Sequence, residues 1–224
     1  PVLFLLSFGY GLKDLVGDIT VAGQPIGYVA FIAPALLATS AMNGAIYDST
    51  MNVFFKLNHD RIYHGMLSTS LGPMDVALGE IGWALLRGLS YAVGFMALVT
   101  PLGLIPSAWG ILAIPAAVLI AFGFASFGMA VTSYMKSFQQ LEVINIVLLP
   151  MFLFSGSFYP LDVFPEWLQN LIKLFPLAHA IDLVRGLTLG NISWALAGHA
   201  MYFVVMIIVG LFFTTKRLNA LFMR

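Results

Sequence analysis

From Gly88 to Met135 the chain runs for 48 residues without an Asp, Glu, Lys or Arg. A second uncharged stretch extends from Ile19 to Tyr47. A bilayer span takes about 20 mostly apolar residues, so the longer stretch is enough for two spans and the shorter for one. A water-facing surface needs far more charge, since a soluble domain carries about 25% charged residues. Here the figure is 9%, against 60% hydrophobic residues and a mean hydropathy of +0.95. The chain therefore reads as an all-α, polytopic membrane protein.

Breaks in the apolar pattern set the spans. In TPLGLIPSAWG (100–110), Pro101, Gly103 and Pro106 stop one helix and Trp109 anchors the next at the interface. Spans are expected near 26–47 (with Pro34 inside it), 81–104, 110–133, 142–157 and 194–215, the last closed by Lys216 and Arg217. The opening run PVLFLLSFGYGL (1–12) has no initiator Met, basic n-region or cleavage site. It reads as the second half of a truncated first span, followed by a polar loop at Lys13, Asp14 and Asp18. Six spans with an inner N-terminus place 48–80, 134–141 and 216–224 on the cytoplasmic side. Those segments hold Lys56, Arg61, Lys136, Lys216, Arg217 and Arg224, six of the ten basic residues, in keeping with the positive-inside bias. Lys13, Lys173 and Arg185 fall outside, and Arg87 lies near the inner end of its span, where it can snorkel.

Several chemistries are disfavoured. Net charge is zero with no basic block, which argues against nucleic-acid binding. There is no GxxxxGK[ST] phosphate loop and no cysteine. No expected span has an acidic residue at its centre, where ion-coupled carriers usually need one. His59 and His64, five apart, point in different directions on a helix, and His179 and His199 are isolated in sequence. No cofactor or metal is expected in this chain.

Three regions remain as candidates. The inner segment 48–80 is longer than a simple turn requires, with Asp75 and Glu80 at the foot of the third span. It is either a docking helix for a cytoplasmic partner or a solvated loop with an interfacial helix. Within the spans, Thr39, Asn43, Asn145 and Phe152 are candidate lining for an amphipathic passenger, although such residues equally suit helix packing. Between the last two spans, Phe164, Trp167, Leu168, Leu171, Leu174 and Phe175 recur at helical steps, the mark of an amphipathic helix at the interface. Asp162 is placed to cap the helix begun at Pro165, and Gly186 and Gly190 are natural stops for a second short helix. His179, Asp182 and Arg185 share one helical face. They form either a polar patch at the exit of a substrate path or an Asp182–Arg185 pair that steadies the helix.

Taken together, Pro176-Leu177-x-His179 followed by five residues and then Arg185, the run SGSFYPLDVFPEWLQ (155–169) and LSTSLGPMDVALGE (67–80) resemble the ABC type-2 exporter permeases. The resemblance covers nearly the whole chain and is nearest in flavour to permeases of drug-resistance and lipo-oligosaccharide (nodulation-type) export. Ser70 stands where that family usually has a proline, so the local turn differs. The resemblance implies a permease subunit, not catalytic by itself, in the cytoplasmic membrane of a bacterium, with both termini inside. It implies a second permease subunit, as a homo- or heterodimer, and two separate ABC ATPase subunits that hold the ATP and Mg. Phe55, Lys56, His59, Asp60, Arg61 and His64 would fall in a coupling helix against the ATPase. The second and fifth spans would line the path. Two short outer re-entrant helices within 158–190, with Phe158, Pro160, Trp167, Pro176, His179, Asp182 and Arg185, would form an outer gate. The implied function is ATP-driven export of an amphipathic drug, glycolipid or lipid-linked saccharide. The alternatives are an ATPase-independent carrier or channel, and a membrane scaffold.

Overall fold

A computed structural model describes residues 1–21, 23–60 and 62–222. Arg61 and Arg224, two of the expected inner basic residues, lie outside them. Helix α1 (residues 2–16) passes through a π-turn at Leu5–Tyr10 and ends at Gly17, whose φ of 72° suits glycine alone. An antiparallel hairpin follows, β1 (Asp18–Val21) paired with β2 (Gln24–Gly27) in the register Asp18↔Gly27 and Val21↔Gln24. The polar loop expected here is thus a small hairpin, and the helix expected from residue 26 starts at Tyr28. The strands are four residues each, with Pro25 in one, so their alternation is too brief to read in sequence.

Helix α2 (Tyr28–Asn58) is the centre of the fold. Between Phe31 and Met42 it is buried on nearly every side, with Phe31, Ile32, Leu36, Leu37 and Met42 all 3% exposed or less. It does not stop at Tyr47 as expected. Asp48 is buried and paired, so its charge gives no reason for the helix to leave the packed interior. The chain instead widens into a π-turn at Asp48–Asn52, where the Ser49 and Thr50 hydroxyls donate to the Ile46 carbonyl at 3.3 and 2.6 Å. A short helix α3 (Ile62–Leu67) completes the inner segment.

Helix α4 (Pro73–Val99) begins well before the expected residue 81 and ends before 104. Pro73 occupies its first turn and the Asp75 carboxylate accepts the Gly72 N–H at 2.8 Å, a helix start written into GPMD. Helix α5 (Ala108–Ser133) opens with a 3-10 turn in which the Ser107 hydroxyl accepts the Trp109 N–H. Helix α6 (Gln139–Phe154) is shorter and mostly exposed, burying only Leu141 and Met151. Outside the spans lie α7 (Glu166–Ile172) and α8 (Pro176–Leu189), and α9 (Trp194–Phe222) closes the chain. Lys216 and Arg217 lie within α9 rather than ending it. Arg217 donates to the Ser133 carbonyl at 3.3 Å and sits over the Tyr134 ring, so it caps α5 instead.

Among the described residues, four helices, α2, α4, α5 and α9, are long and apolar enough to cross a membrane. Against α2 pack α4, α5 and α8, and α9 lies along α5. The α5–α9 seam is made of small residues: Gly123 faces Phe203, and Gly210 lies against the Ser126 backbone. The remaining faces of α4, α6 and α9 carry exposed Trp83, Leu86, Ile146, Leu149, Ile208 and Phe212, a surface suited to hydrocarbon.

Candidate functional site

An open groove of about 890 Å³ is lined by α2, α4 and α6, with Pro1 and Phe4 also facing it. Thr39, Asn43, Asn145 and Phe152, the four candidate lining residues, all face it. Contacts at its ends fix the arrangement. Phe138, just before α6, packs against Phe55 near the lower end of α2, whereas Phe152 packs against Phe4 of α1. Thus α6 runs antiparallel to α2. The Tyr91 ring of α4 lies where a Cβ on Gly44 of α2 would just reach it, at 3.9 Å, and Arg87 lies one turn earlier on α4.

At the inner end of the groove two ion pairs join α2 to α4. The Arg87 guanidinium meets the Asp48 carboxylate at 2.8 Å, and the Lys56 ammonium meets Glu80 at 2.7 Å. Asn52 donates to the same Asp48 oxygen at 2.8 Å, and the other oxygen is buried without a partner. Arg87 therefore does not snorkel. It neutralises a buried carboxylate, and removing Arg87 would strand Asp48, which generally costs about 3–5 kcal/mol. Below this layer, Tyr63 of α3 is fully buried with its hydroxyl facing Glu80, and that proximity adds to burial in pushing its phenol well above the ordinary value. Of the expected coupling residues, Phe55, His59, Asp60 and His64 are exposed. His59 stacks on Phe55 and His64 on Phe222. Lys56 is committed to Glu80, and Arg61 lies outside the described residues.

The outer segment is organised by Arg185. Its guanidinium donates to the Gly156 carbonyl at 2.8 Å and the Phe31 carbonyl at 3.4 Å, and lies 4.0 Å from the centre of the Phe31 ring. Burial pulls its pKa down to about 10, so it stays charged at neutral pH. The Asp182–Arg185 ion pair is not formed: the two ion pairs among the described residues are those of Lys56 and Arg87. The cation is drawn instead to two backbone carbonyls and an aromatic face, which a planar guanidinium serves well. Asp162 sits in a 3-10 turn and does not cap α7, which starts from Pro165 without a side-chain cap. Gly190 ends α8 with φ 80°, as its position suggests, but Gly186 lies inside the helix, where a Cβ would meet Leu196 of α9 at 2.5 Å. It is a packing residue and not a stop. Phe158 is buried against Phe8 and Phe152, Pro160 leads into the 3-10 turn, Pro176 opens α8, and Trp167 is exposed on α7.

With this geometry in place, the comparisons with known proteins are decisive. Residues 1–189 match the family model for the ABC-2 type transporter. The chain belongs to the ABC-2 transporter family. It is 30% identical to nodulation protein J of Rhizobium leguminosarum bv. trifolii, aligning over 100% of this chain and 84% of that protein. It is 32% identical to nodulation protein J of Sinorhizobium fredii over 89% of this chain and 75% of that one. It is also similar to the inner membrane transport permease YadH of Escherichia coli K12, at 27% identity over 80% and 69%. This is a bacterial integral membrane protein of the ABC-2 permease type, a family that supplies the membrane component of transporters and normally works with an ABC ATPase.

For an ABC-2 permease the groove contributes residues that sequence reasoning did not pick out: Ser40, Gly44, Tyr47 and Tyr91, with Arg87 at its foot. The permease also contains a histidine contact that sequence separation conceals. His179 of α8 and His199 of α9, twenty residues apart, approach Nδ1 to Nδ1 at 2.7 Å. One must donate and the other accept, so the contact requires at least one neutral ring. His179 also stacks on Tyr202 at 4.3 Å, with Asp182 on its own helix and the Lys173 carbonyl nearby. Burial, reinforced by His199, lowers the His179 pKa below the ordinary 6.5, outweighing Asp182 and the carbonyl. A lowered histidine pKa means that the unfolded chain binds more protons than the folded one as pH falls through that ordinary value, so this contact stabilises the permease above it and is lost below. Thermal denaturation in detergent should show a lower melting point at pH 5 than at pH 7.5, with the difference reduced in His199→Gln. A pH-independent melt would contradict this.

Proposed function

We propose that this chain is the permease subunit of an ATP-driven exporter, carrying an amphipathic drug, glycolipid or lipid-linked saccharide along a path lined by α2 and α6. The observation that carries the reading is mechanical: two ion pairs lock the lower half of α2 to the first half of α4. Asp48, Asn52 and Lys56 stand on one face of α2 and hold Arg87 and Glu80 of α4. A push on the exposed Phe55, in the last turns of the same helix, therefore passes to α4 through these pairs. On this reading two permease subunits clamp two ATPase subunits in the cytoplasmic membrane, with both termini inside. Helices α1 and α6 act as the first and fifth of six spans. The helices α7 and α8 are re-entrant and close the outer end, with Arg185 fixing α8 to α2 and the charged residues in structural roles. Amphipathic passage is supported by the mixture of amide, hydroxyl and aromatic groups in the groove.

Asp60 is exposed, and no ion pair among the described residues holds it. Charge reversal there, Asp60→Lys, should leave membrane insertion and melting unchanged and weaken co-purification of the cassette ATPase by about 10-fold or more, the effect of an unpaired charge in an interface. Wild-type co-purification with full substrate-stimulated ATP hydrolysis would sink the coupling assignment. Transport driven in liposomes by an ion gradient, with no ATPase present, would favour an independent carrier.

A further inference from the structure

The length of α9 fixes where its basic residues stand. Trp194 at its start is 93% exposed, as suits an anchor at the membrane interface. Twenty residues on, about 30 Å at the α-helical rise, the helix has crossed one hydrocarbon core and reached Thr214. Lys216 therefore lies at headgroup depth, at the end of the bundle where Phe222 meets His64 of α3. At that level an open furrow of about 610 Å³ runs between the start of α4 and the end of α9. Met74, Ile208 and Phe212 give it apolar walls, and Thr215, Lys216 and Asn219 form its polar end. From Ile208 to Asn219 the lining covers about 16 Å, close to half the thickness of a hydrocarbon core. The furrow is thus one leaflet deep, polar at the water side and apolar toward the bilayer centre.

The cation in the furrow has no anion of its own. The two ion pairs among the described residues are those of Lys56 and Arg87, and Lys216 is exposed. Its ammonium lies 5.9 Å from the centre of the Phe212 ring, so the stem follows the furrow wall and the charge stays over its mouth. Thr215 donates to the Met74 sulfur at 3.4 Å, which joins the two helices at the polar end, and Asn219 adds amide N–H donors. The neighbouring furrow between α5 and α9 is different. It holds about 170 Å³, and Arg217 beside it is already engaged by the Ser133 carbonyl and the Tyr134 ring.

We infer that the α4/α9 furrow is a binding site for an anionic phospholipid of the adjoining leaflet, its phosphate on Lys216 and Asn219 and an acyl chain along Phe212 and Ile208. Position and charge both select this occupant. A phosphate joined to hydrocarbon is the anion that a bilayer offers at the depth of Lys216, and its tail runs in the direction of the apolar walls. A membrane helix seated here would instead have to bring an acidic residue to that depth, which is costly. The bound lipid bridges α4 and α9 at the end of the bundle nearest α3. The site lies apart from the α2/α6 path and does not depend on what the chain carries.

The absence of cysteine in the 224 residues permits a clean test. Ile208→Cys, at a position 62% exposed, is labelled with benzophenone maleimide in the full-length chain. The protein is placed in nanodiscs of equal phosphatidylglycerol and phosphatidylcholine, irradiated, and its lipid adducts are counted by mass spectrometry. Phosphatidylglycerol adducts should exceed phosphatidylcholine adducts by about 5-fold, the contribution of one basic side chain near an anionic headgroup layer. The control is Met201→Cys, 60% exposed near the other end of the same helix, where adducts should follow the bulk composition. Lys216→Gln, a change at an exposed side chain, should bring the ratio at Ile208→Cys down to that of the control. Equal adducts of the two lipids at Ile208→Cys overturn the inference, as does the same preference at Met201→Cys. So does a preference that survives Lys216→Gln. Adducts to polypeptide in place of lipid overturn it too, since they put a protein segment in the furrow.

Discussion

Arg185→Gln should destabilise the protein by about 3 kcal/mol, among the largest effects of any single side-chain change in the outer segment. The guanidinium ties three separate pieces: α8, the 155–160 turn through the Gly156 carbonyl, and the outer end of α2 through Phe31. A hydrogen bond from a charged donor contributes about 1.5–3 kcal/mol, and a desolvated cation–π contact about 2 kcal/mol. The two share one side chain and do not add fully. Glutamine is shorter and neutral, so it serves neither acceptor well and leaves a buried carbonyl unpartnered. Arg185→Lys should recover only part of the loss, because an ammonium is a point donor and not a fork. Melting in detergent reads this directly. A melting point for Arg185→Gln within a degree of the parent would show that the outer helices are held by apolar packing alone.

Much of this was legible in the sequence, and the parts that were not have common causes. Uncharged stretches of span length gave the long helices, because hydrocarbon admits little else. The four lining candidates met in one groove since Thr39 and Asn43 are four residues apart and so share a face of α2. The lower end of α2 was misjudged by treating Asp48 as a boundary. The signal that reverses that judgement is periodic: Asp48, Asn52 and Lys56 recur every four residues, and Glu80 and Arg87 are seven apart. Both sets are helical stripes of matching polarity, one on each helix. A stripe of that kind is the mark of two buried faces that satisfy each other, not of a solvated loop.

The outer segment failed differently. Its amphipathic spacing gave α7 and α8, but local rules mispaired their charges. The i,i+3 spacing of Asp182 and Arg185 is compatible with a pair, yet Arg185 finds a drier partner 154 residues earlier at Phe31. The same applies to His179 with His199 and to Gly186 with Leu196, whose partners lie on another helix. Contacts made across helices depend on how α8 docks, which no local pattern encodes.

Gly210→Val should cost about 3 kcal/mol or more and lower the melting point by roughly 10 °C. A Cβ at this position would lie 2.5 Å from the Ser126 carbonyl carbon and 2.7 Å from its oxygen. These are backbone atoms of α5 and cannot rotate away, so the helices must separate. Separation is expensive here because membrane helices associate mainly through close van der Waals packing, and small residues are what allow it. The buried seam of α9 is narrow, consisting of Phe203, Gly210, Thr214 and Leu218. Opening it at Gly210 also withdraws Phe203 from its seat on Gly123, where a Cβ would stand 2.7 Å away. Gly210→Ala should show the same sign at a reduced size. Gly198→Ala is the control on the same helix: nothing lies within 4 Å of its Cβ, and exchanging glycine for alanine in a helix generally gains about 0.5–1 kcal/mol. Equal melting of Gly210→Val and Gly198→Ala would mean that α9 is not held by this seam.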